Sequence, residues 1–450
     1  MIHVIGMGLA REHRSPRIME LIRKADLVAS GRRLLDELEI PEERRLPLTG
    51  MDAFAADIRA RAEGASVCVL ADGDPLLYGL GASLLRYFAP GELTFHPNVS
   101  ALQTACARFG LPWHDCRAMS LHGRSDRTPL FASLTHDNMV ALYTDHRHSP
   151  DVIAGLLLER GVTGWRMNVA EALGGPEEKL STLTLTEAAQ STWHALNIVV
   201  LERTALPTLP LRLGLDEDAL DHSDGLMTKQ PVRAFALSLL RLPPDAIMWD
   251  LGAGSGAVSL EAARLLGKGR VVAVERQAER VRHIRENVER TGAWLLEVVH
   301  SSLEEFLGNG NFGDYRSYRT YGSHGTYEKA AEAQDGHAAC LEHTSYRPHM
   351  SHSSYSSHSS APTHIFLGGG ASAPVLGQCA ALLSSGGRMV IAAVLLSTLE
   401  TVRTVFHELD WPLKVHQLMH HAGSPLAGDL RLTPSNPVFL LETQKPSSDT

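Results

Sequence analysis

Residues 248–256 read Met-Trp-Asp-Leu-Gly-Ala-Gly-Ser-Gly, an apolar run ending in a glycine turn, and the next apolar run, Arg270 to Glu275, ends on a carboxylate. A strand that turns this tightly toward a helix, followed by a second strand ending in an acid, leaves few folds open. It predicts neighbouring strands of a parallel sheet with a crevice at their carboxyl ends. Glycines let the backbone approach a ligand with no Cβ in the way, and Glu275 is placed to accept both hydroxyls of a ribose. Two cofactors suit the spacing. Read as Gly252-x-Gly254-x-x-Ala257, the turn tolerates a dinucleotide; read as Asp250-x-Gly252-x-Gly254-x-Gly256, it suits S-adenosylmethionine (SAM). The second is favoured, because Asp250 faces a cationic amino acid moiety better than a pyrophosphate, which like charge repels. Asp250, Gly252, Ala253, Gly254, Ser255, Gly256 and Glu275 are therefore candidate cofactor contacts.

At 450 residues the chain exceeds one ordinary domain, and two cores are expected. Short β-rich runs alternate with amphipathic stretches over residues 1–204 and again over 220–445, which argues an α/β architecture twice over. In the first unit the strands are expected at Ile2 to Ile5, Val67 to Ala71, Met139 to Tyr143, Met167 to Ala170 and Asn197 to Leu201. Ser15 caps the first helix ahead of Pro16. Pro207 and Pro210 stiffen a linker over residues 205–219. The second unit reads as a doubly wound sheet, with helices near Val232 to Arg241, Val258 to Leu266 and Ala278 to Thr291.

Between Asn311 and Thr363 the composition changes: these 53 residues hold no Ile or Val and one Leu, but six His, six Tyr and ten Ser. Such a stretch cannot supply a packed core and is expected to be a disordered, solvated insertion rather than a metal site. No apolar run approaches a membrane span, and Met1 leads straight into a strand with no secretory signal, so a cytoplasmic location is expected. The five cysteines are scattered and never spaced C-x-x-C, so neither a disulfide framework nor a zinc site is indicated. A net charge of −9 without a Lys/Arg stripe argues against nucleic acid as partner.

The first unit carries its own glycine turn, Gly6-Met7-Gly8, and the strand-to-turn segment Ala71-Asp72-Gly73-Asp74-Pro75-Leu76-Leu77-Tyr78-Gly79, which exposes backbone polar groups to a ligand. Pro97-Asn98-Val99-Ser100 opens a helix, with Ser100 free to cap it or touch a ligand, and Ser120-Leu121-His122-Gly123-Arg124 follows another strand. Gly6, Gly8, Asp72, Gly73, Asp74, Pro75 and Ser100 are the candidate cofactor contacts of this unit.

Taken in order, GMG, ADGDPLLYG, HPNVSALQTACARFGLPW, SLHGR and LNIVVLER resemble the tetrapyrrole methylase family, in the branch that methylates C5 of a corrin precursor. The resemblance spans residues 1–204. Asp224-Gly225-Leu226-Met227-Thr228-Lys229, Val232-Arg233-Ala234, WDLGAGSG, VVAVE, FLGGG and SGGRMV are similar to the C15-methylating, decarboxylating enzymes of the same pathway. The order of the two sets resembles the fused C5,15-methyltransferases of cobalamin biosynthesis.

The resemblance implies a two-lobed α/β tetrapyrrole methylase domain followed by a Rossmann-like SAM methyltransferase domain. It implies two SAM consumed, a precorrin-type substrate losing its ring C acetate carboxyl, no further cofactor, a homo-oligomer and no metal. The fusion favours a cobalt-free macrocycle. It adds Thr228 and Ser302 as SAM contacts, Ser302 standing where an acidic residue is common. The polycarboxylate substrate is expected to meet His122 and Arg124 in the first unit and Lys229 and Arg233 in the second. The first turn departs from the family pattern over Leu9 to Arg14. A methyltransferase acting on RNA or protein, and a fusion with one catalytic half, are the competing readings. No general base is assigned.

Overall fold

The computed structural model describes residues 2–222, 227–308 and 361–447. Strands β1 (Ile2–Gly6), β2 (Leu27–Ser30), β3 (Arg45–Pro47), β4 (Val67–Ala71) and β5 (Leu93–His96) form a parallel sheet in the order β3-β2-β4-β1-β5. The helix Pro16–Lys24 starts where expected, with the Ser15 hydroxyl accepting from the Ile18 amide at 3.4 Å. A second lobe holds β6 (Arg117–Ser120), β7 (Met139–Tyr143), β8 (Trp165–Glu171), β9 (Lys179–Thr184) and β10 (Asn197–Arg203) in the order β6-β7-β10-β8-β9. Only the β6-β7 pair is parallel here; β10 runs antiparallel to both its neighbours.

The remaining strands are β11 (Ile247–Leu251), β12 (Arg270–Glu275), β13 (Leu296–His300), β14 (His364–Leu367), β15 (Arg388–Ala393), β16 (Leu413–Leu418), β17 (His421–Leu426), β18 (Asp429–Pro434) and β19 (Val438–Gln444). Seven of them make one sheet, β13-β12-β11-β14-β15-β19-β16, in which β19 alone is antiparallel to its neighbours. The order reverses between β11 and β14, which puts a crevice at the carboxyl end of β11. The insertion expected over 311–363 lies mostly outside the described residues. Its last residues are structured, however: Pro362 is buried and the Thr363 amide donates to Ile247 O at 2.9 Å, so this end belongs to the approach to β14.

Two separate cores are not what forms. The largest apolar cluster runs from Leu134, Leu157 and Val199 of the second lobe into Leu240, Leu260 and Val271 of the following unit. Polar contacts follow the same seam: the His136 ring meets Leu266 O at 2.9 Å, the Leu295 amide donates to the Thr135 hydroxyl at 2.9 Å and the Thr163 hydroxyl donates to Glu289 at 3.2 Å. These residues lie in the last turns of helices or in the loops that lead into β7, β8, β12 and β13. The two units are therefore docked through the amino edges of their sheets, and their crevices lie at the opposite edges. Among the described residues no helix is long and apolar enough to cross a membrane.

Leu240→Ala, at a fully buried position of the shared cluster, should cost about 2–5 kcal/mol and shift one cooperative calorimetric transition. Two transitions, with only one displaced, would show that the halves unfold independently.

Candidate functional sites

The crevice of the second unit is built by β11, its turn and β12. Gly256 has φ +76° and begins the helix Ala257–Leu265, where a Cβ would come within 3.0 Å of Ile284. The turn is pinned from the neighbouring strand, since the amides of Gly252 and Ala253 donate to Val274 O at 3.0 and 3.1 Å. Glu275 uses one carboxylate oxygen to accept from the Gly254 amide and the other from the Gln277 amide, both at 2.9 Å. This fixes the carboxylate against the turn. Asp250 is buried at the floor: Oδ2 accepts from the Ser259 hydroxyl, while Oδ1 is buried without a partner among the described residues. Burial, with Glu275 nearby, pushes its carboxyl up to about 7.

The structure places four candidates of this unit as follows, and moves one of them away from the crevice. Arg233 does not reach the mouth of the crevice. It is fully buried, its Nε donating to Glu261 at 2.8 Å and its other nitrogens to the carbonyls of Thr228 and Leu215. The reason is periodic: Arg233 shares a stripe with Ala236, Leu237 and Leu240, all buried on the helix Gln230–Leu240. Its role is to clamp the segments around Leu215 and Thr228 onto the helix. Ser302 spends its hydroxyl as a cap, accepting from the Glu305 amide at 3.1 Å. Asp250 underlies the turn rather than lining an open surface. Lys229 is half-exposed but already paired with Glu217 at 2.6 Å. Residues 224–226 of the DGLMTK motif lie outside the described residues.

In the first unit a cavity of about 540 Å³ separates the two lobes, lined among others by Asp72, Gly73, Asp74, Ser100, His122 and Tyr143. Gly8 and Gly73 are paired by reciprocal hydrogen bonds of 3.3 and 3.1 Å, so the two turns of this unit form one cradle. Gly6 lies under it, and a Cβ there would stand 2.6 Å from Gly73 O. The stretch after Gly8 caps itself, the His13 ring accepting from the amides of Leu9 and Ala10 at 3.2 and 3.3 Å. Asp74 holds the loop by accepting from the amides of Leu76, Leu77 and Asn98, and Asp72 is paired with Arg33. Ser100 is buried and caps the helix Ala101–Phe109 through the Gln103 amide at 3.2 Å. His122 and Arg124 are both exposed on the loop after β6.

Tyr78, Asn98 and Tyr143 were missed as functional candidates, although Tyr78 and Asn98 lie within the motifs; Tyr143 ends β7 outside them. Asn98 ties the cradle by donating to Gly6 O at 2.9 Å and His13 O at 3.1 Å. Tyr78 holds a φ of +54°, an uncommon conformation for a bulky residue, and its ring lies 5.3 Å from that of Tyr143. The Tyr143 hydroxyl is buried without a partner, and burial pushes it up to about 12. No sequence signal separates Tyr143 from any other strand-end aromatic.

Comparison with known proteins decides the family. The family described as Tetrapyrrole (Corrin/Porphyrin) Methylases matches residues 1–189, and that described as Precorrin methyltransferase domain matches 219–313 and 336–445. A Sinorhizobium protein named Precorrin-6Y C(5,15)-methyltransferase [decarboxylating] is 33% identical over 62% of this chain and 68% of its own length. The chain belongs to the precorrin-6Y C(5,15)-methyltransferase family. A Mycobacterium tuberculosis (strain CDC 1551 / Oshkosh) protein of the same name is 28% identical over 97% of this chain and 98% of its own. The Salmonella typhimurium Cobalt-precorrin-7 C(5)-methyltransferase is 34% identical over 45% of this chain and 98% of its own, which gives the first half a single-domain counterpart. Membership makes this a methyltransferase.

Two outcomes follow from the buried charges. Arg233→Met strands Glu261 and should destabilise the enzyme by about 3–5 kcal/mol, whereas Lys229→Ala, which breaks a solvent-screened pair, should change stability by no more than about 1 kcal/mol; urea unfolding separates them. The raised Asp250 carboxyl means the native state holds its proton up to about pH 7 while the unfolded chain releases it near its ordinary value. Its contribution to stability is therefore present at low pH and lost as pH rises through that window. Asp250→Asn should gain on the parent protein as pH rises from 3.8 to about 7 in unfolding measurements and keep that margin above it.

Proposed function

We propose that the chain methylates a precorrin macrocycle twice, at C5 in the cleft between the first two lobes and at C15 in the crevice of β11 and β12, with SAM as donor in each. The second step removes the carboxyl of the ring C acetate. The observation that carries the reading is Asp250 Oδ1, a buried acceptor with no partner beside the glycine turn. A cationic amino acid moiety supplies the missing partner and stabilises the charged carboxylate, whereas a pyrophosphate adds like charge. Glu275, already oriented by two backbone amides, is set to accept ribose hydroxyls. In the first unit the paired turns of Gly8 and Gly73 line one end of the cleft with backbone, with the His13 side chain packed against Gly8.

When bound, SAM supplies an electrophilic methyl group to an electron-rich ring carbon. The chain's contribution is alignment: a near-linear approach of acceptor to methyl needs position more than acid or base. At C15 the departing CO2 leaves its electron pair in the ring and cancels the charge the methyl group brings. A protonated ring imine serves as electron sink, so the step calls for no other cofactor. Arg124 and Lys229 are the cations proposed to meet substrate carboxylates. We further propose a homo-oligomer, supported by the hairpin β17-β18, whose Leu430 and Leu432 are 69% and 70% exposed.

Mass spectrometry after incubation with SAM and precorrin-6B should show a product heavier by two methyl groups and lighter by one CO2. One methyl with CO2 loss would leave only the second unit active, and an unchanged macrocycle would overturn the assignment. Arg124→Ala and Lys229→Ala should weaken macrocycle binding and leave SAM affinity unchanged; equal loss of both would remove them as substrate contacts.

A further inference from the structure

Adding a methyl cation to a ring carbon leaves one positive charge to discharge. At C15 the departing CO2 does this; the word decarboxylating stands in the name of the Sulfolobus acidocaldarius Probable cobalt-precorrin-6B C(15)-methyltransferase (decarboxylating), whereas the Salmonella typhimurium relative is named for C(5) methylation alone. With no carboxyl to lose, the C5 step must release a proton, and the proton needs an acceptor. Resting on the function proposed above, we infer that His122 is the general base of the C5 step, its Nε2 taking the C5 proton once the methyl group is in place.

The other acids and bases lining the cleft are committed. Asp72 is paired with Arg33, and Asp74 accepts from three backbone amides. Ser30 donates to Leu70 O at 3.1 Å, and Ser100 caps its helix. The Tyr78 hydroxyl is spent on donating to Ala118 O at 2.7 Å, and burial keeps the proton on the Tyr143 phenol. Among the described residues His122 is the one imidazole lining the cavity.

Its ring is also set in the right tautomer. Nδ1 lies 3.4 Å from Thr144 O. A carbonyl oxygen only accepts, so the ring proton sits on Nδ1 and Nε2 keeps its lone pair. The loop beneath is held at each residue. The Leu121 amide donates to Tyr143 O at 2.9 Å, that of His122 to the Ser120 hydroxyl at 3.2 Å, that of Gly123 to Asp145 at 2.7 Å and that of Arg124 to Leu121 O at 3.1 Å. Asp145 is itself fixed by the amides of Arg147 and His148. An exposed imidazole on so constrained a loop is preorganised for proton transfer.

The step balances without a further reactant. The C5–CH3 bond forms as the sulfonium S–CH3 bond breaks, leaving the macrocycle with one positive charge. The C5–H bond then breaks, its electrons restore the ring π bond, and the proton passes to Nε2 of His122 and on to water.

The test uses the full chain, SAM and precorrin-6B, with His122→Gln, His122→Asn and His122→Ala. C15 methylation on the same molecule reports that each variant is folded. Turnover should stall at the singly methylated, decarboxylated product, the C5 rate falling by about 10²–10⁴-fold. Macrocycle affinity, measured by calorimetry without SAM, should stay unchanged. Added imidazole should restore part of the C5 rate in His122→Ala, and deuterium at C5 should slow the variants more than the parent enzyme. An undiminished C5 rate in His122→Gln would overturn the proposal, and so would a loss explained by weaker macrocycle binding. A parent enzyme that adds no methyl group at C5 would overturn the underlying function, and this role with it.

Discussion

Parallel strands deliver all their carboxyl ends to one edge, and both sites of this chain exist because of that constraint. At that edge the backbone leaves the ladder and must turn, so the residues that turn it are the ones a ligand meets. In the second unit a single strand, β11, ends in a turn pinned by Val274 O of its neighbour. In the first, the turns after β1 and β4 are zipped together through Gly8 and Gly73. The two solutions differ in detail and answer the same requirement, a rigid rim of backbone with no side chains in front of it.

Buried charge is handled in two ways. Arg233 and Glu261 are both inaccessible, and the arginine has a partner for each nitrogen and organises three segments at once, while Glu261 Oε2 is left without a partner among the described residues. Asp250 is as deeply buried and half satisfied, and its raised carboxyl records how unfavourable the charge is there.

Much of this was legible in the sequence, because the signals were local. β4, β7 and β12 fall on the expected residues, and Ser15 and Ser100 cap the expected helices. Short β2, four residues long, carries too little pattern to register, and the antiparallel course of β10 depends on partners distant in the chain. Arg233 was misplaced because its charge was weighed above its period; Ala236, Leu237 and Leu240 mark the face it shares. The His122 tautomer was beyond reach from composition or motif, since it depends on a carbonyl 22 positions along the chain.

The docking of the units through their amino edges has a kinetic consequence. With the clefts facing away from each other, a macrocycle finished in one must let go and be recaptured by the second, passing through bulk solvent or through another molecule of the enzyme. Covalent fusion then guarantees equal amounts of the two activities but does not by itself give a private passage between them. Dwell time in the first cleft becomes a quantity under opposing pressures: long enough for chemistry, short enough to hand the molecule on.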